Sequence, residues 1–291
     1  MGFAAILLWS TTVALARSIS EQTGPITAGA AVYLAGGVLS FLIYASDKRR
    51  LIAIRKVSRF YLIGCGILFI IYTASLFLAL GLAENRYQTV ELGLINYLWP
   101  ALTILFSLFV LNRKADFWLV PGTLLAVIGV YFVTTDSLSF SVNEFLAHVK
   151  SNTVAYLLAL LAAVTWALYS NLVRRTAGQE GEGAVPVFIL STGLVLLFFS
   201  YLFPENSTWN IQVVSEIVIL GISTALAYVF WDAAMRKGEM IPVVAFSYLT
   251  PFFSTVFAAV YLGVLPGSAL WIGCLLIIMG SVISWRSVKK V

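Results

Sequence analysis

Residues 91–107 read ELGLINYLWPALTILFS, and 151 positions after the central NYLWP (96–100) the chain reads SYLTP (247–251). At that single shift Tyr97 falls on Tyr248, Pro100 on Pro251, Gly122 on Gly273, Gly129 on Gly280 and Arg86 on Lys237, so three successive apolar stretches recur in register. The opening stretches match at a shift of 157, which sets Trp9 on Trp166 and Arg17 on Arg174. Pro25 and Pro186 open the second stretch of each half. One unit has been used twice.

Composition names the solvent of that unit. Of 291 residues, 60% are hydrophobic and 11% charged, with a mean hydropathy of +0.96, far from the balance of a water-soluble domain. A hydrocarbon layer of roughly 30 Å takes about 20 apolar residues per helix, so the chain has room for about ten spans, short loops and no separate catalytic domain. Hydropathy and loop signals place spans near residues 2–18, 25–45, 60–83, 89–111, 117–134, 153–173, 185–203, 212–235, 241–263 and 268–285. Ala14-Leu15-Ala16 has the form of a signal-peptidase site, but no Lys or Arg precedes it and its residues recur in span six. A retained helix is expected there.

Lys and Arg divide unevenly between alternate loops, fifteen in one set against Arg17, Arg86 and Lys150 in the other. By the positive-inside rule both termini are cytoplasmic, and the formal charge of +5 belongs to basic loops on anionic lipid rather than to nucleic-acid binding. The expected fold is therefore all-α and polytopic: ten transmembrane helices in two five-helix repeats, residues 1–135 and 153–286. Because five is odd, the second repeat enters the membrane the opposite way up. Two similar halves can exchange conformations around a shared central site, which is the geometry of alternating access.

Residues 91–107 also carry the densest polar and aromatic signal within a span. Counted at 1.5 Å per residue from Thr89, Trp99 lies ~15 Å deep, near the midplane. Asn96, Trp99 and Thr103 share one helix face, and the repeat carries that stripe onto Ser247, Thr250 and Ser254. Polar groups at that depth either face a cavity, and so cargo, or join helices at roughly 0.6 kcal/mol per bond. Pro100 and Pro251 each remove a backbone donor and are expected to kink their helices as hinges. Further aromatics at depth are Trp9, Tyr72, Trp166, Tyr169, Tyr228 and Trp231, the last near the cytoplasmic end; they belong either to core packing or to a pocket for a flat solute. Trp118, Trp271, Trp285, Tyr44 and Tyr201 are placed at the membrane interfaces.

Two acids are candidates for ion coupling, Glu91 in the first turn of span four and Asp232 in span eight, although local pairing with Arg86 and Arg236 is the simpler account of each and no acid stands at mid-membrane. Cys65 and Cys274 stand in apolar runs as packing residues, and His148, the one histidine, falls in a loop. No metal site and no cofactor is expected. An intramembrane enzyme would show a His, Asp or Ser constellation, and a nucleotide-sugar carrier basic residues at depth; neither pattern is present. Nothing in the sequence demands an assembly larger than a monomer.

The segments LLWSTTVALAR (7–17), ELGLINYLWPALTIL (91–105) and SYLTP (247–251) resemble the drug/metabolite transporter superfamily, of the duplicated ten-helix type with two EamA-like repeats. That resemblance implies a bacterial inner-membrane exporter of aromatic amino acids and related solutes, with no catalytic chemistry. It also implies a basket of helices around a central cavity, to which Trp9, Tyr72, Asn96, Tyr97, Trp99, Trp166, Tyr169, Ser247 and Tyr248 are assigned as cargo contacts. Flat side chains suit the rings of such cargo, and the Asn96 amide suits a zwitterionic head.

Overall fold

In lipid every backbone amide must find a partner within the protein, and helices provide this for most of the described residues. The computed structural model describes residues 1–46, 57–84, 88, 92–93, 95–135, 142–176, 184–237, 240–262 and 267–289. Among the described residues the first half contains α1 (Gly2–Ser10), α2 (Thr12–Thr23), α3 (Pro25–Ala45), α4 (Gly66–Gly81), α5 (Trp99–Val110) and α6 (Leu119–Thr135). A short helix, α7 (Val142–Ser151), follows, so His148 lies on a helix rather than in the expected loop. Then come α8 (Thr153–Thr176), α9 (Val185–Leu202), α10 (Ile211–Lys237), α11 (Met240–Phe246), α12 (Thr250–Leu262) and α13 (Ser268–Ser287). The one departure from an all-α fold there is a pair of two-residue strands, β1 (Lys114–Ala115) and β2 (Val288–Lys289), which pair antiparallel.

Among the described residues seven helical segments are long and apolar enough to cross a bilayer: Gly2–Thr23, Pro25–Ala45, Tyr61–Gly81, Thr153–Thr176, Val185–Leu202, Ile211–Met235 and Ser268–Ser287. Three shorter apolar helices, Trp99–Val110, Leu119–Phe132 and Ile241–Ser254, fall where spans four, five and nine are expected. Leu42, Ile67, Phe109, Leu157, Phe198 and Leu275 are exposed on the outside, whereas Thr103, Thr165, Asn171 and Thr192 are buried. The buried groups bond to backbone: the Thr192 hydroxyl donates to the Phe188 carbonyl at 2.8 Å, and Asn171 Nδ2 to the Thr103 carbonyl at 3.0 Å. Apolar outside and polar inside is the distribution of a multi-pass membrane protein. Of the aromatics expected at the interfaces, Trp118, Trp271, Trp285 and Tyr201 are exposed, whereas Tyr44 is buried.

The helices form two lobes and two pillars. In one lobe α1 and α2 pack on α10 and α12; in the other α8 packs on α4 and α5. Each lobe thus takes the opening span of one half of the chain, α1 with α2 or α8 alone, and its remaining helices from the other half. The pillars are α3 against α9 and α6 against α13, and glycine sets how closely they approach. A Cβ on Gly280 would stand 2.6 Å from the Gly122 carbonyl oxygen, and one on Gly129 2.7 Å from that of Gly273, so α6 and α13 run antiparallel with backbones in contact. A Cβ on Gly36 of α3 would stand 2.5 Å from the Gly221 carbonyl oxygen of α10.

Among the described residues, apolar spans break in three places. Between α1 and α2 the Thr11 amide and hydroxyl both donate to the Leu8 carbonyl, at 3.2 and 2.8 Å, back-bonding that bends a helix. Ahead of Pro100 the chain turns at Tyr97–Leu98, and ahead of Pro251 it winds into a 3-10 turn, Ser247–Leu249. Proline has no N–H for the preceding turn, which leaves that turn free to tighten or open.

A strap joins lobe to pillar at the start of α3. The Glu205 carboxylate accepts from the Ile26 and Thr27 amides at 3.1 and 2.7 Å, capping α3 where Gly24 (φ 83°) makes the turn. Ser207 Oγ donates to the Thr23 carbonyl at 2.8 Å, and Asn210 Nδ2 to Gln22 Oε1 at 2.6 Å. Glu205→Ala removes two charge-assisted bonds and is expected to cost about 1 kcal/mol, lowering Tm by roughly 2–4 °C in a detergent melt. An unchanged melt would show that the cap carries no stability.

Candidate functional site

Four helices each bring a tryptophan to the seam between the lobes: Trp9 on α1, Trp231 on α10, Trp99 on α5 and Trp166 on α8. Centroids across the seam are 5.6 Å apart for Trp9–Trp166, 6.4 Å for Trp9–Trp99, 5.3 Å for Trp99–Trp231 and 6.2 Å for Trp166–Trp231. Three of these pairs meet edge-on or steeply tilted, which suits the ring quadrupole; Trp166–Trp231 is tilted by only 32°. Around this centre Tyr72 lies 4.7 Å from Trp166, Tyr169 stacks on the same indole at 4.9 Å, and Phe69 meets Tyr228 at 4.7 Å. The hydroxyls of Tyr33 and Tyr228 are 2.7 Å apart and hydrogen-bonded, joining α3 to α10.

A cavity of about 120 Å³ lies against this cluster. One lobe supplies Trp9, Thr12, Thr224, Tyr228 and Thr250; the other supplies Tyr72, Asn96, Tyr97, Trp99 and Trp166; and Tyr33 comes from a pillar. All three helix breaks flank it, since Trp9 and Thr12 bracket the first, Asn96 and Trp99 the second, and Thr250 follows the third. Irregular backbone at membrane depth is tolerated where protein buries it or a cavity lies beside it. The volume compares with the roughly 150 Å³ of an apolar protein cavity that takes up benzene. Among the described residues of the wall none is Asp, Glu, Lys, Arg or His, and no metal-binding cluster is found among the described residues of the chain.

Several polar atoms in and behind the wall are buried with no hydrogen-bond partner among the described residues: Trp9 Nε1, Asn96 Oδ1, Thr250 Oγ1 and Trp231 Nε1. Each such group costs about 1–3 kcal/mol. They lie along the lobe seam, where a polar solute would find both donors and acceptors.

Of the residues singled out in the sequence, Trp9, Tyr72, Asn96, Tyr97, Trp99 and Trp166 meet at this cavity, and Tyr169 backs Trp166. Ser247 and Tyr248 are buried but do not line it; Ser247 Oγ donates to the Val244 carbonyl at 2.5 Å. Thr103 turns its hydroxyl onto the Trp99 carbonyl at 2.7 Å. Pro100 and Pro251 are buried just after the helix breaks. Asp232 accepts from the Tyr61 hydroxyl at 2.9 Å, and Glu91 lies outside the described residues. The wall also contains Tyr33, Thr12 and Thr224, which sequence reasoning passed over. Tyr33 is the one aromatic and the one polar side chain in AGAAVYLAGG (28–37), and such a residue in a glycine-rich helix is the signal that could have found it.

A seam cavity of this kind, between lobes that exchange helices across the two halves of the chain, belongs to a membrane transporter. The EamA-like transporter family profile matches residues 1–135 and 153–286, and the chain belongs to that family. It is 33% identical over 291 residues to the aromatic amino acid exporter YddG of Escherichia coli (strain K12), covering 100% of this chain and 97% of that one. It is 32% identical over 290 residues to the protein of the same name from Ancylobacter novellus, covering 98% of this chain and 95% of the other. A solved structure, titled "Crystal structure of protein", superposes with a TM-score of 0.79 at 31% identity and covers 97% of this chain and 95% of its own.

Proposed function

We propose that this transporter exports aromatic amino acids and related small amphiphilic solutes across the bacterial inner membrane by alternating access. The observation that carries this reading is the ring-sized cavity walled by Trp9, Trp99, Trp166 and Tyr72 at the seam between the lobes. Aromatic cargo gains about 0.5–1.5 kcal/mol per ring contact beyond simple burial. Once the lobes part, Asn96 Oδ1, Thr250 Oγ1 and Trp9 Nε1 offer an acceptor and donors for the ammonium and carboxylate of an amino acid. The names of the full-length relatives support the same cargo.

The three shorter apolar helices complete ten spans in this reading, as two inverted five-helix repeats, residues 1–135 and 153–286, with both termini cytoplasmic. Glycine contacts support the inversion: Gly122 meets Gly280 while Gly129 meets Gly273, and the repeat equates Gly122 with Gly273 and Gly129 with Gly280. Such a self-complementary contact is what two copies of one helix make about a two-fold axis. Pro100 and Pro251 serve as hinges, Ser247 and Tyr248 support the broken helix behind Thr250, and Glu91 and Asp232 are the candidates for ion coupling.

Reconstituted into liposomes, the protein is expected to move labelled phenylalanine or tryptophan down a gradient. Flux no greater than that of empty vesicles, from protein that remains folded, would rule this cargo out.

A further inference from the structure

Leu220, Thr224 and Tyr228 of α10 line the cavity at intervals of four, one stripe on the helix. Trp231, three residues on, continues that stripe but lies beyond the cavity, fully buried, with its ring 5.1 Å from Trp9 and 5.3 Å from Trp99 of the opposite lobe. The cavity therefore stops at Trp231. At the same end two polar contacts cross the seam. The Tyr61 hydroxyl, from the π turn Tyr61–Cys65 that leads into α4, donates to Asp232 Oδ1 of α10 at 2.9 Å, with both residues buried. Arg174 Nη1 of α8 donates to the Met235 carbonyl of α10 at 3.2 Å. Tyr61 is tied to a pillar as well, since its hydroxyl accepts from the Ala184 amide at 3.3 Å.

We propose that Tyr61 and Asp232 form the latch, and Trp231 the plug, of a gate that closes the cavity at the end where α10 finishes. This rests on the lobe motion proposed above. Tyr61 and Asp232 belong to opposite lobes, so access from that end requires them to separate. A hydrogen bond to a carboxylate is stronger than one between neutral groups, so the pair holds the gate shut out of proportion to its size. The π turn beneath Tyr61 lets the latch form and release at small cost, because such turns are local irregularities in an otherwise regular helix. Trp231, fully buried, makes the closed end dry.

Accessibility tests this without cargo. In a background of Cys65→Ala and Cys274→Ala, Thr12→Cys places one thiol in the cavity wall, and a membrane-impermeant maleimide is applied to one face of sealed vesicles at a time. Labelling of the parent is expected from the face opposite the gate. Tyr61→Phe keeps the ring packed on Phe188 and is expected to raise labelling from the gate face about tenfold. Asp232→Asn is expected to shift it less, and the double variant no further than Tyr61→Phe. Trp231→Ala leaves the pair intact and is expected to raise labelling from the gate face as well, so the gate can be probed even if a latch variant misfolds. Gate-face labelling equal to the parent's in whichever of these variants fold would overturn the proposal. Absent phenylalanine flux alongside shifted labelling would instead sink the proposed cargo and leave the gate standing.

Discussion

Trp99→Ala is expected to abolish phenylalanine flux in proteoliposomes, and Asn96→Ala to do the same with less strain on the fold. The Trp99 indole meets three others across or along the seam, Trp9 at 6.4 Å, Trp166 at 6.1 Å and Trp231 at 5.3 Å. Truncating a buried tryptophan commonly costs about 3–5 kcal/mol of stability, so flux must be read beside a melting curve, with Trp99→Phe as the variant that keeps a ring in place. Asn96 is the cleaner test because it is far smaller than an indole and its Oδ1 has no hydrogen-bond partner among the described residues. Wild-type transport by Asn96→Ala and by a folded Trp99→Ala would move the cargo site elsewhere.

Gly280→Val is expected to have the largest effect on the fold itself. A Cβ there would stand 2.5 Å from the Ala126 amide nitrogen and 2.6 Å from the Gly122 carbonyl oxygen, both backbone atoms that no rotamer change can clear. Forced overpacking of this kind costs about 1–3 kcal/mol or more, and here it parts a pillar along its length. Yield of monodisperse protein in detergent should collapse. Gly93→Ala, where an added Cβ meets nothing within 4 Å among the described residues, should express and melt as the parent does. Normal behaviour of Gly280→Val would mean that the close approach of α6 and α13 does not hold the molecule together.

Much of this architecture was legible in the sequence, for a physical reason. Hydropathy reports the solvent each segment meets, so the apolar segments fall where they were expected. The glycines matched by the 151-residue shift proved to be the points where α6 and α13 touch. Trp9, Tyr72, Asn96, Tyr97, Trp99 and Trp166 converge on one cavity because depth in the membrane can be counted along a helix. Azimuth is harder to read. Ser247 is repeat-equivalent to Asn96, yet its hydroxyl bonds to its own helix, because a 3-10 turn at Ser247–Leu249 rotates what a regular α-helix would have aligned. For Trp231, near the end of its span, the sequence left core packing and a pocket wall open, and the packing of its indole on Trp9 and Trp99 places it beyond the cavity. The pairing of Tyr61 with Asp232 joins positions 171 residues apart and leaves no periodic trace, so local helix pairing with Arg236 was the simpler expectation.

The distribution of the eight tryptophans gives the molecule a built-in optical probe. Trp118, Trp209, Trp271 and Trp285 are exposed, while the other four are crowded within a few ångströms of one another. Brominated lipid and aqueous iodide should darken the outer set, leaving emission and near-ultraviolet dichroism dominated by indoles coupled to each other. Because two of those indoles ride on each lobe, their excitonic signal would register a change of facing in the unlabelled protein.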